Sequence, residues 1–320
     1  MIARWRALRN RGVLGLNDRN AHFVLPLNPR ANYPRVDDKV ITKRLAQAAG
    51  IPVAGLLGVI SHYHELKGLP ALLEPLDHFV LKPAHGAQGN GILVITHAEP
   101  GRYLRSNGRT LDDAEIRQHV SSILSGVFSL RGDFDTCIVE ELLVVHSDFA
   151  PIAHRGVPDV RVIVCRGLPI MAMCRLPTDE SSGRANLHQG AIAIGIDLAT
   201  GRSVHAVHHS HSIDHHVDTG HPLVGFPVPR WDEVLSLAAR ASDISGLGYL
   251  GVDIVVDAHH GPLLLELNAR PGLAIQLANN EGLLPRLEKA RTLDGVSQLE
   301  WHERCALARR LFGHGTRTAV

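Results

Sequence analysis

Apolar positions recur along this chain with two different periods. Val40, Ile41, Leu45 and Ala48 repeat at helical spacing, behind a capping Asp37 or Asp38 and ahead of Gly50. Helical spacing returns at Ile116, Val120, Ile123, Leu124 and Val127 after Asp112 or Asp113, and at Trp231, Val234, Leu235, Ala238 and Ala239 before Gly246. Elsewhere the pattern is that of strands: Val53 to Ile60, His78 to Lys82, Ile92 to Thr96, and a long run from Thr136 to Val145. Beyond residue 158, hairpins dominate. Strands over 159–166 and 169–176 flank an Arg166-Gly167 turn, 191–197 and 202–208 flank Asp197 to Gly201, and 249–257 and 262–268 form a last pair. Helices mixed with antiparallel hairpins predict an α+β fold, not a doubly wound parallel sheet.

Composition narrows the class. A chain of 320 residues predicts two domains or lobes, and 45% hydrophobic with 20% charged residues is ordinary globular usage. Lys and Arg (33) nearly cancel Asp and Glu (32), so no global field favours nucleic acid or an anionic membrane. No apolar run approaches the roughly 18 residues of a membrane span. The basic stretch from Met1 to Gly15, with Arg4, Trp5, Arg6, Arg9 and Arg11, lacks the apolar core of a secretory signal and reads as a short arm packing on the body. Cys137, Cys165, Cys174 and Cys305 form no CxxC pair and read as buried thiols in a reducing cytoplasm.

Four constellations carry chemistry. Lys82 ends a strand and is followed by a loop containing Gly86, Gly89 and Gly91, where backbone N–H groups can cradle phosphate. In the last hairpin Asp253 falls opposite Glu266, whether the loop is Ala258 to Gly261 or only His259-His260, and Asn268 lies two residues on, on the same face. Two carboxylates and an amide oxygen are hard ligands suited to Mg²⁺. Without a cation they would repel by about 3 kcal/mol at an effective dielectric near 20, so neutralising either is expected to leave the metal-free fold as stable or slightly more so. A bulge in the hairpin would break this register. Arg161, Arg175 and Arg184, with Asn186 and His188, form a polar group; whether Arg161 and Arg175 share a face depends on a turn length left open by the sequence. Finally, seven histidines lie between His205 and His221 at spacings that match no zinc finger, and they read as a mobile surface loop, with a lid as the functional variant. There is no Rossmann fingerprint, P-loop or GxSxG elbow.

In order along the chain, Asp37-Asp-Lys39-Val-Ile-Thr-Lys43, Ala49-Gly-Ile-Pro52-Val53, Val80-Leu-Lys82-Pro83, Glu140-Glu141-Leu-Leu143, Asp159-Val-Arg161, Asn186-Leu-His188-Gln-Gly190, Gly251-Val-Asp253 and Leu265-Glu266-Leu-Asn268-Ala-Arg270-Pro-Gly272 resemble the motifs of ATP-grasp ligases. Among these the chain is most similar to the RimK-type glutamate ligases and their α-L-glutamate ligase-like and sugar-transfer-associated relatives, over about residues 30–290. The resemblance implies two α+β lobes grasping ATP between them: an N-terminal lobe over 37–145 and a C-terminal lobe over 146–300 with the metal site, flanked by an arm (1–36) and a tail (301–320). It assigns Lys39, Lys82, Gly86, Gly89 and Gly91 to the nucleotide and Glu140, Glu141, Leu142 and Leu143 to the hinge beside adenine. Asp253, Glu266 and Asn268 become Mg²⁺ ligands, with Mn²⁺ as a substitute. Arg161, Arg175, Arg184, Asn186 and His188 become catalytic, and Arg270 faces a substrate carboxylate.

The activity implied is an ADP-forming carboxylate–amine ligase working through an acylphosphate and attaching an amino acid, glutamate being the first candidate, to a peptide or small amine. A homo-oligomer is compatible with it. RimK-type ligases carry a separate domain before the first lysine motif, where this chain has about 36 residues. The rivals are a non-catalytic nucleotide-binding regulator, against which the intact Lys39, Lys82, Asp253, Glu266 and Asn268 argue, and a His-rich metal-binding protein.

Overall fold

The computed structural model describes residues 7–86, 89–129 and 132–314. Arg4, Trp5 and Arg6 of the expected arm, Ala87 and Gln88 of the glycine loop, and the end of the expected tail from 315 on lie outside the described residues. The chain divides into two compact units, a smaller one of 38–40 and 54–143 and a larger one of 1–37, 41–53 and 144–320.

The smaller unit is built on a six-stranded antiparallel sheet. Its strands are β1 (Leu56–Ile60), β2 (Phe79–Pro83), β3 (Leu93–Glu99), β4 (Arg102–Arg105), β5 (Thr110–Leu111) and β6 (Cys137–Glu140), in the order β1-β6-β2-β3-β4-β5. The helix Asp113–Leu124 covers it. A capping box starts this helix: Asp112 Oδ1 accepts the Glu115 N–H at 2.8 Å, and Glu115 Oε2 accepts the Asp112 N–H at 3.1 Å. Ile116, Val120, Ile123 and Leu124 are buried with Phe79, Leu81 and Ile95 of the sheet. Val127, expected on that same face, is 67% exposed because the helix has already ended before Gly126, which takes a left-handed φ of 79°. The strand expected over 136–145 stops at Glu140. Beyond it Val144 donates its N–H to Asp257 Oδ2 at 2.7 Å and Val145 pairs with Asp257, so the segment's hydrogen bonds go elsewhere.

The larger unit holds a seven-stranded antiparallel sheet: β7 (Asp159–Cys165), β8 (Leu168–Leu176), β9 (Ile192–Ile196), β10 (Ser203–His208), β11 (His211–Ser212), β12 (Tyr249–Asp257) and β13 (Gly261–Asn268), ordered β11-β10-β9-β8-β7-β12-β13. Both sheets are wholly antiparallel, as the α+β reading requires. The β7–β8 turn forms at Arg166-Gly167, both left-handed (φ 51° and 80°), the geometry that matches strand twist in two-residue hairpins. Helices Trp231–Ser245, Leu284–Thr292 and Trp301–Phe312 add Val234, Leu235, Ala238, Leu287, Cys305, Ala308 and Phe312 to the core. Trp301–Phe312 falls where the sequence suggests a tail. It has its own capping box of Glu300 and Glu303, and its buried Arg304 forks onto Asp243 at 2.7 and 2.5 Å.

Near the start of the chain Leu14 is buried in irregular chain, and Phe23, Val24 and Val36 are buried on short helical turns. All four cysteines are free and buried, and burial pushes the Cys137 and Cys165 thiols up to about 12. Among the described residues no helix is long and apolar enough to cross a membrane.

Candidate functional site

Each unit carries its own cluster of buried charge. In the larger one, β12 lies between β7 and β13, so Asp253 faces Arg161 on one side and Glu266 on the other. Asp159 is two residues before Arg161, hence on the same face, and its cross-strand partner is Arg175. The two arginines therefore share a face. Arg161 donates Nε to Asp253 Oδ1 (2.7 Å) and Nη2 to Oδ2 (2.5 Å), while Arg175 grips Asp159 in the same two-bonded way and extends Nη2 to Asp253 Oδ2 at 3.0 Å. Asp253 is fully buried. Burial works to raise its pKa, but Arg161 and Arg175 together hold it well below the usual carboxylate range.

Glu266 does lie opposite Asp253, by a different route from the one the hairpin arithmetic assumes. Near the turn the ladder runs Asp257↔Gly261 to Ile254↔Leu264, one residue out of the expected register, and an irregularity between Asp253 and Ile254 restores it at Glu266. The Asn268 amide nitrogen stands 3.1 Å from both Asp253 Oδ2 and Glu266 Oε1, so two carboxylate oxygens converge on one point. The expectation that opposed carboxylates are a standing cost in the metal-free fold is corrected here. Asp253 accepts four hydrogen bonds, three of them from guanidinium groups, and is stabilised rather than strained.

In the smaller unit Lys82 and Glu140 occupy neighbouring strands, with Lys82 paired to Ile138 and Glu140 to Val80. Their side chains meet at 2.6 Å and are only about 5% exposed (6% and 5%). Lys39, the first residue of the helix Lys39–Ala48, donates its ammonium to the Gly86 and Ala84 carbonyls at 2.7 and 3.3 Å. Asp38 caps this helix, accepting the Val40 N–H at 2.7 Å. Gly89 and Gly91 are left-handed (φ 74° and 76°), and a Cβ on Gly91 would fall 2.6 Å from the Phe128 ring. His85, on the same loop, meets Asp135 through Nδ1 at 2.7 Å and through its backbone N–H at 3.1 Å, and its Nε2 is 3.6 Å from Asp38. The Asp135 bond raises the His85 pKa against the effect of burial.

The remaining expected site residues are more scattered. Arg184, Asn186 and His188 sit on the loop 177–190, where Arg184 bonds Gln189 at 3.3 Å and Asn186 accepts the His188 N–H at 3.0 Å. Among the described residues no hydrogen bond links them to the Arg161–Asp253 cluster. The guanidinium of Arg270 lies over the Tyr33 ring, 5.0 Å from its centroid. Glu141 donates its N–H to Gly55, and Leu142 and Leu143 are half-buried in irregular chain. The histidine stretch is not a loose loop: His205 and His208 lie on β10, His211 on β11, and His216 is buried with Nδ1 accepting the Asp218 and Thr219 N–H groups.

The model of the sugar-transfer-associated ATP-grasp family matches residues 18–292. The chain belongs to that family. This ATP-grasp chain is 25% identical over 271 residues to the "Probable alpha-L-glutamate ligase" of Alcanivorax borkumensis, covering 83% of itself and 66% of that protein. It is 26% identical over 220 residues to the protein of that name from Maridesulfovibrio salexigens, covering 69% and 48%. It thus spans somewhat less than two thirds of the relatives it matches. Among solved structures it is similar to the ATP-grasp ligase PsnB with its minimal precursor (TM-score 0.45, 17% identity, 83% and 63% coverage). It is similar also to the ADP complex of the N5-carboxyaminoimidazole ribonucleotide synthetase (TM-score 0.44, 16% identity, 74% and 46%).

Two members of the ATP-grasp chain's clusters escape sequence reasoning as site residues. Asp159 had one available signal, its two-residue offset from Arg161 on a strand. Asp135 had none, since it reaches His85 from fifty positions away.

Proposed function

We propose that this ATP-grasp protein is an ADP-forming carboxylate–amine ligase that attaches an amino acid, glutamate first among candidates, to a peptide or small amine. The observation that carries the reading is the convergence of Asp253 and Glu266 oxygens on the Asn268 amide, beside two guanidinium groups. Two carboxylate oxygens brought to one point fit a divalent cation, and the donor set is hard oxygen, as Mg²⁺ prefers. Asp253, Glu266 and Asn268 would hold it; when bound, the ion neutralises charge on the transferring phosphoryl group.

Lys39, Lys82 and the loop amides around Gly86, Gly89 and Gly91 take the nucleotide phosphates, and Glu140 to Leu143 flank the base. Arg161 and Arg175, fixed by Asp159 and Asp253, present positive charge at the phosphoryl acceptor without reorganising. Arg184, Asn186, His188 and Arg270 orient the acid. A carboxylate oxygen attacks the γ-phosphorus and ADP leaves; the amine then attacks the acyl carbon, phosphate leaves, and the amine proton passes to solvent. No side-chain nucleophile is required, so positioning and charge stabilisation supply the rate. Lobes over 37–145 and 146–300 and a cytoplasmic location, in keeping with the four free thiols, complete the proposal.

The test is a screen of amino acids with peptides and small amines under Mg·ATP. ADP release that needs both acid and amine, and hydroxamate formed with hydroxylamine in place of the amine, are expected. AMP and pyrophosphate as products would overturn the assignment.

A further inference from the structure

The loop 177–190 is fastened to the β10–β11 hairpin through one carboxylate and two imidazoles. Glu180 Oε2 lies 2.7 Å from His209 Nε2 and 3.5 Å from His208 Nε2. The two rings are 4.1 Å apart, and one ligand atom from each of the three residues lies within 4.8 Å of the others. The backbone is shaped for this approach. His209 and Ser210 both adopt left-handed conformations (φ 48° and 66°) in the turn between paired His208 and His211, where glycine or asparagine is the usual occupant. Across from them Gly190 leaves room for the carboxylate: a Cβ there would fall 2.6 Å from Glu180 Cδ.

A single hydrogen bond accounts for only part of this arrangement. His209 Nε2 bonds Glu180 Oε2, and His208 Nε2, which donates to the Gly190 carbonyl at 2.9 Å, also lies 3.5 Å from that same carboxylate oxygen. Two imidazoles and a carboxylate are the three-ligand set of an open zinc-type site, completed by water. A neighbouring group, His154, Asp179 and Asp218, brings similar atoms together, but there Arg155 already pairs with Asp179 at 3.0 Å. Among the described residues Glu180 forms ion pairs only with the two histidines.

We propose that Glu180, His208 and His209 bind one divalent transition metal of the zinc type and that the bound metal staples the loop 177–190 to the hairpin. Imidazole selects Zn²⁺, Co²⁺, Ni²⁺ or Cu²⁺ over Mg²⁺, so this site is chemically distinct from the oxygen set at Asp253, Glu266 and Asn268. The sequence offered metal binding only as a rival reading of the His-rich tract and did not single out these ligands, because the spacing of the histidines alone matches no finger and the third ligand comes from a different loop.

The full chain, stripped with chelator and dialysed, is titrated with Zn²⁺ by calorimetry and with Co²⁺ by visible absorption. One equivalent of saturable binding, a raised melting temperature with Zn²⁺, and tetrahedral-type Co²⁺ bands are expected. His209→Gln and Glu180→Gln, both at exposed positions, each weaken binding at least tenfold and abolish the Zn²⁺-induced shift in melting temperature. His154→Gln and Glu266→Gln leave both unchanged. The proposal is overturned if the stripped chain binds no stoichiometric Zn²⁺, if binding is spread over several weak sites indifferent to His209→Gln and Glu180→Gln, or if it follows His154 or Glu266 instead.

Discussion

Arg161 closes on Asp253 as a two-bond fork between neighbouring strands, Nε to Oδ1 at 2.7 Å and Nη2 to Oδ2 at 2.5 Å, with the carboxylate wholly out of water. Arg175 completes the arrangement by joining Asp253 to Asp159. Removing one member of a buried ion pair leaves the others uncompensated, which costs about 3–5 kcal/mol. Asp253→Asn is therefore expected to lower metal-free stability by about 3 kcal/mol. Glu266→Gln, at a half-buried position outside the fork, is expected to lower it by less than about 1 kcal/mol. Urea unfolding of both variants without nucleotide checks the difference; equal stability of Asp253→Asn and wild type would show that the fork contributes nothing to the fold.

Lys82 and Glu140 offer a way to separate stability from function. Their pair is buried at 2.6 Å on adjacent strands. Lys82→Met alone removes the cation 2.6 Å from a buried carboxylate and is expected to destabilise by about 3 kcal/mol. Adding Glu140→Leu removes the buried negative charge as well and is expected to restore most of the loss. Mg·ATP binding, if Lys82 holds phosphate, stays weak in both variants. Calorimetric nucleotide titration beside denaturant melts reads the two effects separately, and recovered binding in the double variant would remove Lys82 from the nucleotide site.

The β7–β8 hairpin was legible because Arg166-Gly167 carries its own turn chemistry, and the helix from Asp113 because Asp112 and Glu115 form its cap. Asp253 opposite Glu266 was legible only through two departures that cancel, a three-residue turn in place of the expected four or two and an irregularity beside Ile254. Periodicity overran where a backbone device ended the element, as at Gly126, or where another hydrogen-bond partner won, as at Val144. Strands of two to four residues such as β4, β5 and β11 are too short to show a period. Of the charged partners, Asp159 was signalled only by its two-residue offset from Arg161, while Asp135 and Glu180 were hidden because long-range packing, not local sequence, brings them to His85 and to His208 and His209.

The His85–Asp135 pair makes a pH-dependent contribution with a definite sign. His85 is shifted up, chiefly by its bond to Asp135, with Asp38 adding to the shift and burial and Lys39 opposing it. That contribution is complete below the unfolded histidine value of about 6.5 and is lost as pH rises through the higher folded value. Burial acts to raise Asp135, but its bonds from His85 and Thr136 bring it below the ordinary range, so its share is lost only as pH falls through that lowered value. The pair thus supports the fold most between the two unfolded values, about 3.9 and 6.5. The melting-temperature gap between wild type and His85→Gln is expected to be widest near pH 6 and to shrink by pH 8.5. A gap independent of pH would show that the pair is not titrating as an ion pair.

Asn28 ties the early part of the chain to the strands that carry the acidic cluster. Its Nδ2 donates to the Tyr249 and Ala269 carbonyls at 2.7 and 3.1 Å, and its Oδ1 accepts the Tyr249 N–H at 2.9 Å. Tyr249 begins β12 and Ala269 follows β13, so one amide closes the end of the hairpin nearest Asn268. The side chain is 3% exposed, and water does not readily replace it. Asn28→Ala leaves three buried backbone groups without their partner, at about 1–3 kcal/mol each, so a loss of about 3 kcal/mol or more is expected. Asn28→Asp keeps the acceptor for Tyr249 but sets a carboxylate against two carbonyl oxygens, and is expected to be no better at neutral pH. Protonation supplies an O–H donor for one of those carbonyls, so its deficit relative to wild type is expected to narrow as pH falls toward 5. Denaturant unfolding of both variants at pH 7.5 and pH 5 reads these differences. If Asn28→Asp kept wild-type stability at pH 7.5, the donor half of the amide would be irrelevant, and the closure of the hairpin end would rest on the backbone alone.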